Sequence, residues 1–138
     1  MKPQLAVIAD SANLSQEGKL NVLGVFNTVY AADVPVTHPI LWFVAQMEIG
    51  AADFGEHDLL LQLVDEEGET QIPPMTAKAN LPRPEGYTGD FVYWPMLFVV
   101  NNATFPSFGK FIFEMRVDGQ IVAEVPVYVQ KVDAPSTT

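Results

Sequence analysis

Eleven prolines and nine glycines interrupt this chain so often that its apolar runs stay short, and those runs are rich in Val, Ile, Leu and aromatic residues. Runs of that kind bounded by turn formers are strand signals rather than the material of long helices. An all-β fold follows, with strands expected near residues 4–9, 20–31, 36–49, 57–64, 70–76, 91–101, 109–117 and 120–129. Eight short antiparallel strands cannot each bury a face in one flat sheet. Two sheets packed face to face, an antiparallel β-sandwich, are the simplest arrangement.

Two strands carry most of the information. In "HPILWFVAQMEI", Leu41, Phe43, Ala45, Met47 and Ile49 share one face, while Trp42, Val44, Gln46 and Glu48 share the other. The second face is apolar at one end and polar at the other. Period 2 over this length favours a strand, with a helix over part of 40–52 as the competing reading. In "FVYWPMLFVV" neither alternating set is polar, so strand 91–100 has to be covered twice, by its own fold and by another layer or another copy. Pro95 cannot donate a ladder hydrogen bond and places this strand at an edge or a bulge. An edge strand with an apolar outer face is a candidate interface.

Turn chemistry sets two hairpins. "LQLVDEEGETQI" reads as a hairpin with a solvated acidic tip from Asp65 to Gly68. In "FIFEMRVDGQIVAEV", a two-residue Asp118–Gly119 turn would leave Glu124 opposite Phe113. A three-residue connection, Val117 to Gly119 with a left-handed glycine, instead pairs Arg116 with Gln120, Met115 with Ile121, Phe113 with Ala123 and Phe111 with Val125. We expect the three-residue connection, because it keeps one face apolar.

A chain of 138 residues fits one domain with one sizeable core. We expect a single sandwich over 1–131 and a loose tail over 132–138, where the chain is polar and carries a proline. There is no cysteine, which removes disulfides, thiolate metal sites and cysteine nucleophiles and fits a reducing compartment. No apolar run reaches the roughly 18 residues of a membrane-spanning helix, and the N-terminus lacks a signal-peptide pattern. A cytoplasmic location is the expectation. Seven basic residues stand against 17 acidic ones and are scattered, so a phosphate backbone is repelled and a nucleic-acid partner is disfavoured.

Candidate chemistry is sparse. Asp10, Asn13 and Glu17, with Asp65, Glu66 or Glu67 nearby, offer oxygens for calcium but lack the spacing of a dedicated loop, and turn hydrogen bonds explain them as well. His38 and His57 would need carboxylates such as Glu48, Asp53 or Asp58 to hold a metal, or one carboxylate to work as a base. Ser11, Ser15 and Ser107 sit in no nucleophile motif. "EGYTGDF" has Gly86 and Gly89 without the lysine of a phosphate loop, and Glu85 and Asp90 would need a cleft between them to act as a glycosidase pair. Among Phe91, Tyr93, Trp94, Phe98, Phe105 and Phe108, most are expected in the core, with Trp94 or Phe98 as possible anchors on a binding face. The residues assign no catalytic, cofactor or metal site.

The stretches "LAVIADSANLSQEGKLNVLGVFNTVYA", "VTHPILWFVAQM" and "FGKFIFEMRVDGQIVAEVPVYV" resemble an uncharacterised family of short bacterial all-β proteins. The closing strand-turn-strand is similar to the last hairpin of immunoglobulin-like sandwiches, although the Cys, Trp, Cys pattern is missing. The resemblance implies a sandwich of immunoglobulin-like or related topology and carries no activity with it. The leading expectation is a non-enzymatic domain acting through protein association, as a homo-oligomer or with another protein, through region 91–100. A small hydrolase using a carboxylate and a histidine, and a calcium-binding sandwich module, are the alternatives.

Overall fold

The structure, a computed structural model, describes residues 1–133. Its elements are β1 (Lys2–Leu14), β2 (Leu20–Phe26), β3 (Thr28–Ala31), β4 (Val36–Ile49), a 3-10 turn (Ala51–Asp53), β5 (Gly55–Asp65), β6 (Met75–Leu81), β7 (Val92–Phe105), β8 (Gly109–Val117) and β9 (Gln120–Lys131). They form a four-stranded sheet ordered β2-β1-β4-β7 and a five-stranded sheet ordered β3-β9-β8-β5-β6. We refer to these as the small and the large sheet. The alternating set Leu41, Phe43, Ala45, Met47 and Ile49 of β4 points inward, toward Phe111, Phe113 and Met115 of β8, and all eight side chains are buried in one core cluster. Phe43 lies 6.2 Å from Phe113 and Phe105 lies 5.2 Å from Phe111, ring centre to ring centre. Four rings of this size remove a large apolar area from water and hold the two sheets together.

The competing helix at 40–52 is reduced to the 3-10 turn, because period 2 persists through Ile49. Several other expectations are corrected. The expected strand 20–31 breaks at Asn27, where the chain leaves the small sheet as β2 and enters the large one as β3. There β3 pairs in parallel with β9, Thr28 against Tyr128, so the sandwich is not purely antiparallel. The strand expected at 70–76 lies instead at Met75–Leu81. After the acidic tip one bridge forms between Val64 and Thr70. The chain then leaves the ladder through Pro73 and Pro74, which carry no N–H, and rejoins β5 with Met75 opposite Leu61. Of the expected tail, residues 134–138 lie outside the described residues, while Val132 still donates its N–H to Ala31 O at 3.0 Å.

The register of the final hairpin is the clearest correction. The connection is the two-residue one, with Val117 opposite Gln120 and both Asp118 (φ 51°) and Gly119 (φ 84°) left-handed. The pattern conflict this creates is resolved one step later, by a bulge that leaves Val122 without a partner: Arg116 pairs with Ile121 and Met115 with Ala123. Phe113 then faces Val125 and Phe111 faces Val127, so Glu124 still points to solvent. Ala123, Val125, Val127 and Val129 point inward as expected, but Ile121, expected inward opposite Met115, is exposed beside Arg116, and the partners of Met115, Phe113 and Phe111 are each displaced by two residues. The tight turn is held from outside the hairpin, since the Asp118 carboxylate accepts from Asp58 N at 2.9 Å and contacts His57.

A second left-handed glycine sits inside a strand. Gly24 (φ +74°) lies opposite Asp10 in the β1–β2 ladder, and a Cβ there would fall 2.4 Å from Asp10 Oδ2 and 3.0 Å from its Cβ. The Asp10 side chain therefore occupies space that only glycine leaves free.

Candidate functional site

The two sheets differ in what they show to water. Along the large sheet the outward positions are mixed: Asp58, Gln62, Thr76, Lys78, Asn80, Glu114, Arg116, Glu124 and Gln130 are interleaved with Leu60 and Val64 on β5, Ile112 on β8, and Ile121, Pro126 and Tyr128 on β9. The small sheet carries fewer charged groups on its outer face. Its ladders place Val7 beside Val44, Val44 beside Leu97, Ala9 between Val25 and Trp42, and Trp42 beside Val99, all on the face turned away from the core. Ala9 and Val44 are fully buried yet stand outside the core cluster, because larger neighbours on the outer face cover them. Around them Leu23 is 72% exposed, Val25 60% and Ile40 52%.

At the other end this face turns polar: Gln46 Nε2 donates to Gln4 Oε1 at 2.9 Å, and Lys2 Nζ stands 3.4 Å from Glu48 Oε2. The apolar-to-polar gradient read along Trp42, Val44, Gln46 and Glu48 thus becomes a gradient across the whole sheet. Strand β7 forms one edge of it, consistent with Pro95, and its outward set is Tyr93, Pro95, Leu97 and Val99. Trp94 and Phe98 are not the anchors expected of them. They alternate to the inner side and pack on the core, and the side chains that point outward here are Trp42, Tyr93 and Val99.

A second constellation was invisible in the sequence. His57 at the start of β5 and Asp118 in the β8–β9 turn meet with Nδ1 and Oδ2 2.7 Å apart, while His57 Nε2 bonds to the backbone oxygen of Asp53. Both partners can only accept hydrogen bonds, so the doubly protonated imidazolium satisfies them best. The bond to Asp118, helped by that to Asp53 and opposed by burial, raises the His57 pKa above its ordinary 6.5. The bonds from Asp58 N–H and from His57 lower that of Asp118 below its ordinary 3.8. Neither ring nitrogen is open to a substrate, although a shallow cavity of about 340 Å³ lies alongside, lined by Glu56, His57, Asp58 and Lys78. The pair fastens the β8–β9 turn to the β4–β5 connection.

The remaining candidates are scattered. Asn13 accepts from Asn21 Nδ2 at 3.0 Å, Glu17 stands 3.2 Å from Lys19, and Asp10 packs over Gly24. Asp65 caps its own turn by accepting from Glu67 N and Glu69 N, both at 2.9 Å. His38 lies inside β4, its ring centre 5.3 Å from that of Phe26. Ser15 accepts from Lys19 N in the β1–β2 turn, Ser11 is on β1, and Ser107 lies in the β7–β8 turn. Glu85 and Asp90 sit on the loop before β7, where Thr88 Oγ1 donates to Asp90 at 3.4 Å. Among the described residues no three His, Cys, Asp or Glu side chains converge as a metal site would require.

The sequence profile of a family of unknown function, DUF6941, matches residues 4–130, from β1 to the penultimate residue of β9. The chain belongs to that family. The DUF6941 match takes in both sheets and hence both constellations. No curated protein matches the chain. Among the described residues no helix is long and apolar enough to cross a membrane.

Proposed function

We propose that this DUF6941 protein is a non-enzymatic domain that works by binding protein through the outer face of its small sheet. The observation that carries the reading is the run of outward apolar side chains on the small sheet, Leu23, Val25, Ile40, Trp42 and Val99, beside a large sheet whose outer face interleaves its apolar side chains with Asp58, Lys78, Glu114, Arg116 and Glu124. A contiguous exposed apolar patch is a recurrent mark of an interaction site. The hydrolase alternative needs a histidine nitrogen facing substrate beside a carboxylate; both nitrogens of His57 are engaged, and His38 sets its ring against that of Phe26. Calcium binding needs about six to eight oxygens on one ion, whereas Asn13 bonds Asn21, Glu17 pairs with Lys19, and among the described residues no three His, Cys, Asp or Glu side chains converge.

In strand order the fold supports the immunoglobulin-like reading. The run β9-β8-β5-β6 follows the G-F-C-C′ order of a variable-type sheet, and β1-β4-β7 follows A-B-E. A bacterial origin and a cytoplasmic setting belong to the same reading; the absence of cysteine supports the setting. The net charge of -10 supports a partner other than nucleic acid.

The test places a photo-crosslinking residue at position 99, on the small sheet, or at position 128, on the large sheet, in native extract. Protein adducts are expected from 99 and not from 128. Equal yields, or none from 99, refute the reading.

A further inference from the structure

We propose that the free edge of β6 is a second protein-binding surface, which takes a basic, extended segment of another protein with alternating apolar residues and adds it to the large sheet as a further strand. This surface is separate from the small-sheet face and does not depend on it.

The fold has β2 and β7 as the end strands of the small sheet and β3 and β6 as those of the large one. The first three are poor templates. Left-handed Gly24 interrupts β2, Pro95 and left-handed Asn102 (φ 56°) interrupt β7, and β3 has only four residues. Strand β6 is regular throughout. Its seven residues, Met75–Leu81, include no proline, glycine or positive φ and pair in unbroken register with Leu61 to Gly55. Pro73 and Pro74 before it and Pro82 and Pro84 after it set the length of the edge. Alternate residues of an antiparallel strand turn both backbone groups to the same side, so about three or four of β6 present N–H and C=O away from β5. Among the described residues no loop backbone bond reaches 75–81. An extended chain is the ligand that matches such a row of donors and acceptors.

The side chains leave room for it. Ala77 lies opposite Leu59 and so on the core side of the sheet, yet Leu59 is buried and Ala77 exposed. The core layer therefore ends at β6 with its inner side open, where half-buried Met75 and Ala79 flank Ala77. A strand laid beside them buries one apolar row against all three. Lys78, a residue type that often guards an edge, is drawn toward β5, its Nζ 3.6 Å from Asp58 Oδ1.

Charge selects the partner. The connections at the two ends of β6 carry exposed Glu66, Glu67 and Glu69 on one side and Glu85 and Asp90 on the other, none of them in an ion pair among the described residues. Arg83, the cation of the second connection, is stacked 5.0 Å from the ring centre of Tyr87. In a chain of net charge -10 this surround attracts a basic segment and repels a second copy.

The test titrates the isotope-labelled full chain with the capped peptide KVKVKVK and follows amide shifts and hydrogen exchange by NMR. Amides of 75–81 should shift and gain protection, while those of β2 and β7 do not. The same peptide N-methylated throughout, which keeps its charge but loses its N–H groups, and the acidic EVEVEVE should each bind at least about tenfold more weakly. Ala77→Lys, which sets a charge in the open inner row, should weaken KVKVKVK by at least about tenfold, and Val99→Glu on the small sheet should leave it within about threefold. Far-UV circular dichroism confirms that both variants fold. No response at 75–81 with about 1 mM peptide, protection that falls on β2 or β7 instead, or equal binding of the N-methylated peptide overturns the edge site. Equal binding of EVEVEVE overturns the basic partner. Crosslinking from position 99 reports on the small sheet alone, so either reading can fail while the other stands.

Discussion

Replacing Gly24 by alanine tests the local geometry of β2 at two levels at once. The backbone there is left-handed, which costs an ordinary residue about 1–2 kcal/mol, offset by about 0.4–1 kcal/mol because alanine has less unfolded-state freedom to lose. The new methyl group also meets Asp10, with Oδ2 at 2.4 Å, Cγ at 2.9 Å and Cβ at 3.0 Å. Rotation can move the carboxylate aside, at about 0.5–1.5 kcal/mol for an unfavourable rotamer. The sum is a loss of about 2 kcal/mol, roughly half from each source. In an Asp10→Ala background the carboxylate is gone and Gly24→Ala should cost about 1 kcal/mol. Urea unfolding followed by the fluorescence of Trp42 and Trp94 measures this. With an m value of about 1.5 kcal/mol/M, the midpoint should fall by about 1.3 M in the first background and by about 0.7 M in the second, with m unchanged. Equal losses in the two backgrounds refute the close approach of Asp10 to Gly24, and no loss in either refutes the left-handed backbone.

The remaining predictions concern charged groups. Because the folded pKa of His57 is raised, its contribution to stability is complete below 6.5 and is lost as pH rises through the folded value. For Asp118, whose folded pKa is lowered, stability is present above 3.8 and lost as pH falls through the folded value. Urea midpoints should therefore decline on the alkaline side of 6.5, and His57→Gln should flatten that decline; an NMR titration placing the ring at or below 6.5 contradicts the geometry. Glu114 and Glu124 stand directly opposite each other in β8 and β9. Glu124→Lys should stabilise by about 0.5 kcal/mol at low salt and less at high salt, and a destabilised variant counts against the bulged register.

Much of this fold is written in local pattern. Strands at 36–49 and 109–117 were bounded by proline, glycine and period 2, and β4 and β8 span those residues. The doubly apolar strand led to the outer face of the small sheet, because a side chain that alternates away from the core is identifiable before its neighbours are known. The remaining features depend on pairing. Asn27 looks like any polar residue in a strand until the chain changes sheets there. The bulge at Val122 is chosen because Asp118 is held by His57 and by Asp58 N–H, and that contact spans 61 positions. The inward faces of Trp94 and Phe98 followed from the register against β4, since the strand's own alternation is apolar both ways.

The parallel closure of β3 on β9 bears on how the chain reaches this state. Thr28 waits for Tyr128, a hundred positions along, so this pairing closes nearly the largest loop the chain contains. The β1–β2, β5–β6 and β8–β9 hairpins are local and pair on the microsecond scale, whereas folds rich in distant contacts take milliseconds to seconds. On a ribosome adding about 5–20 residues per second, β3 has no partner for several seconds after it emerges. Through that interval β1, β2 and β4 can already assemble as a three-stranded sheet, apolar on both sides, with neither β7 nor the large sheet yet made. The nascent chain is therefore most vulnerable to aggregation before β9 appears, and a shortened chain ending before β9 should partition into the insoluble fraction.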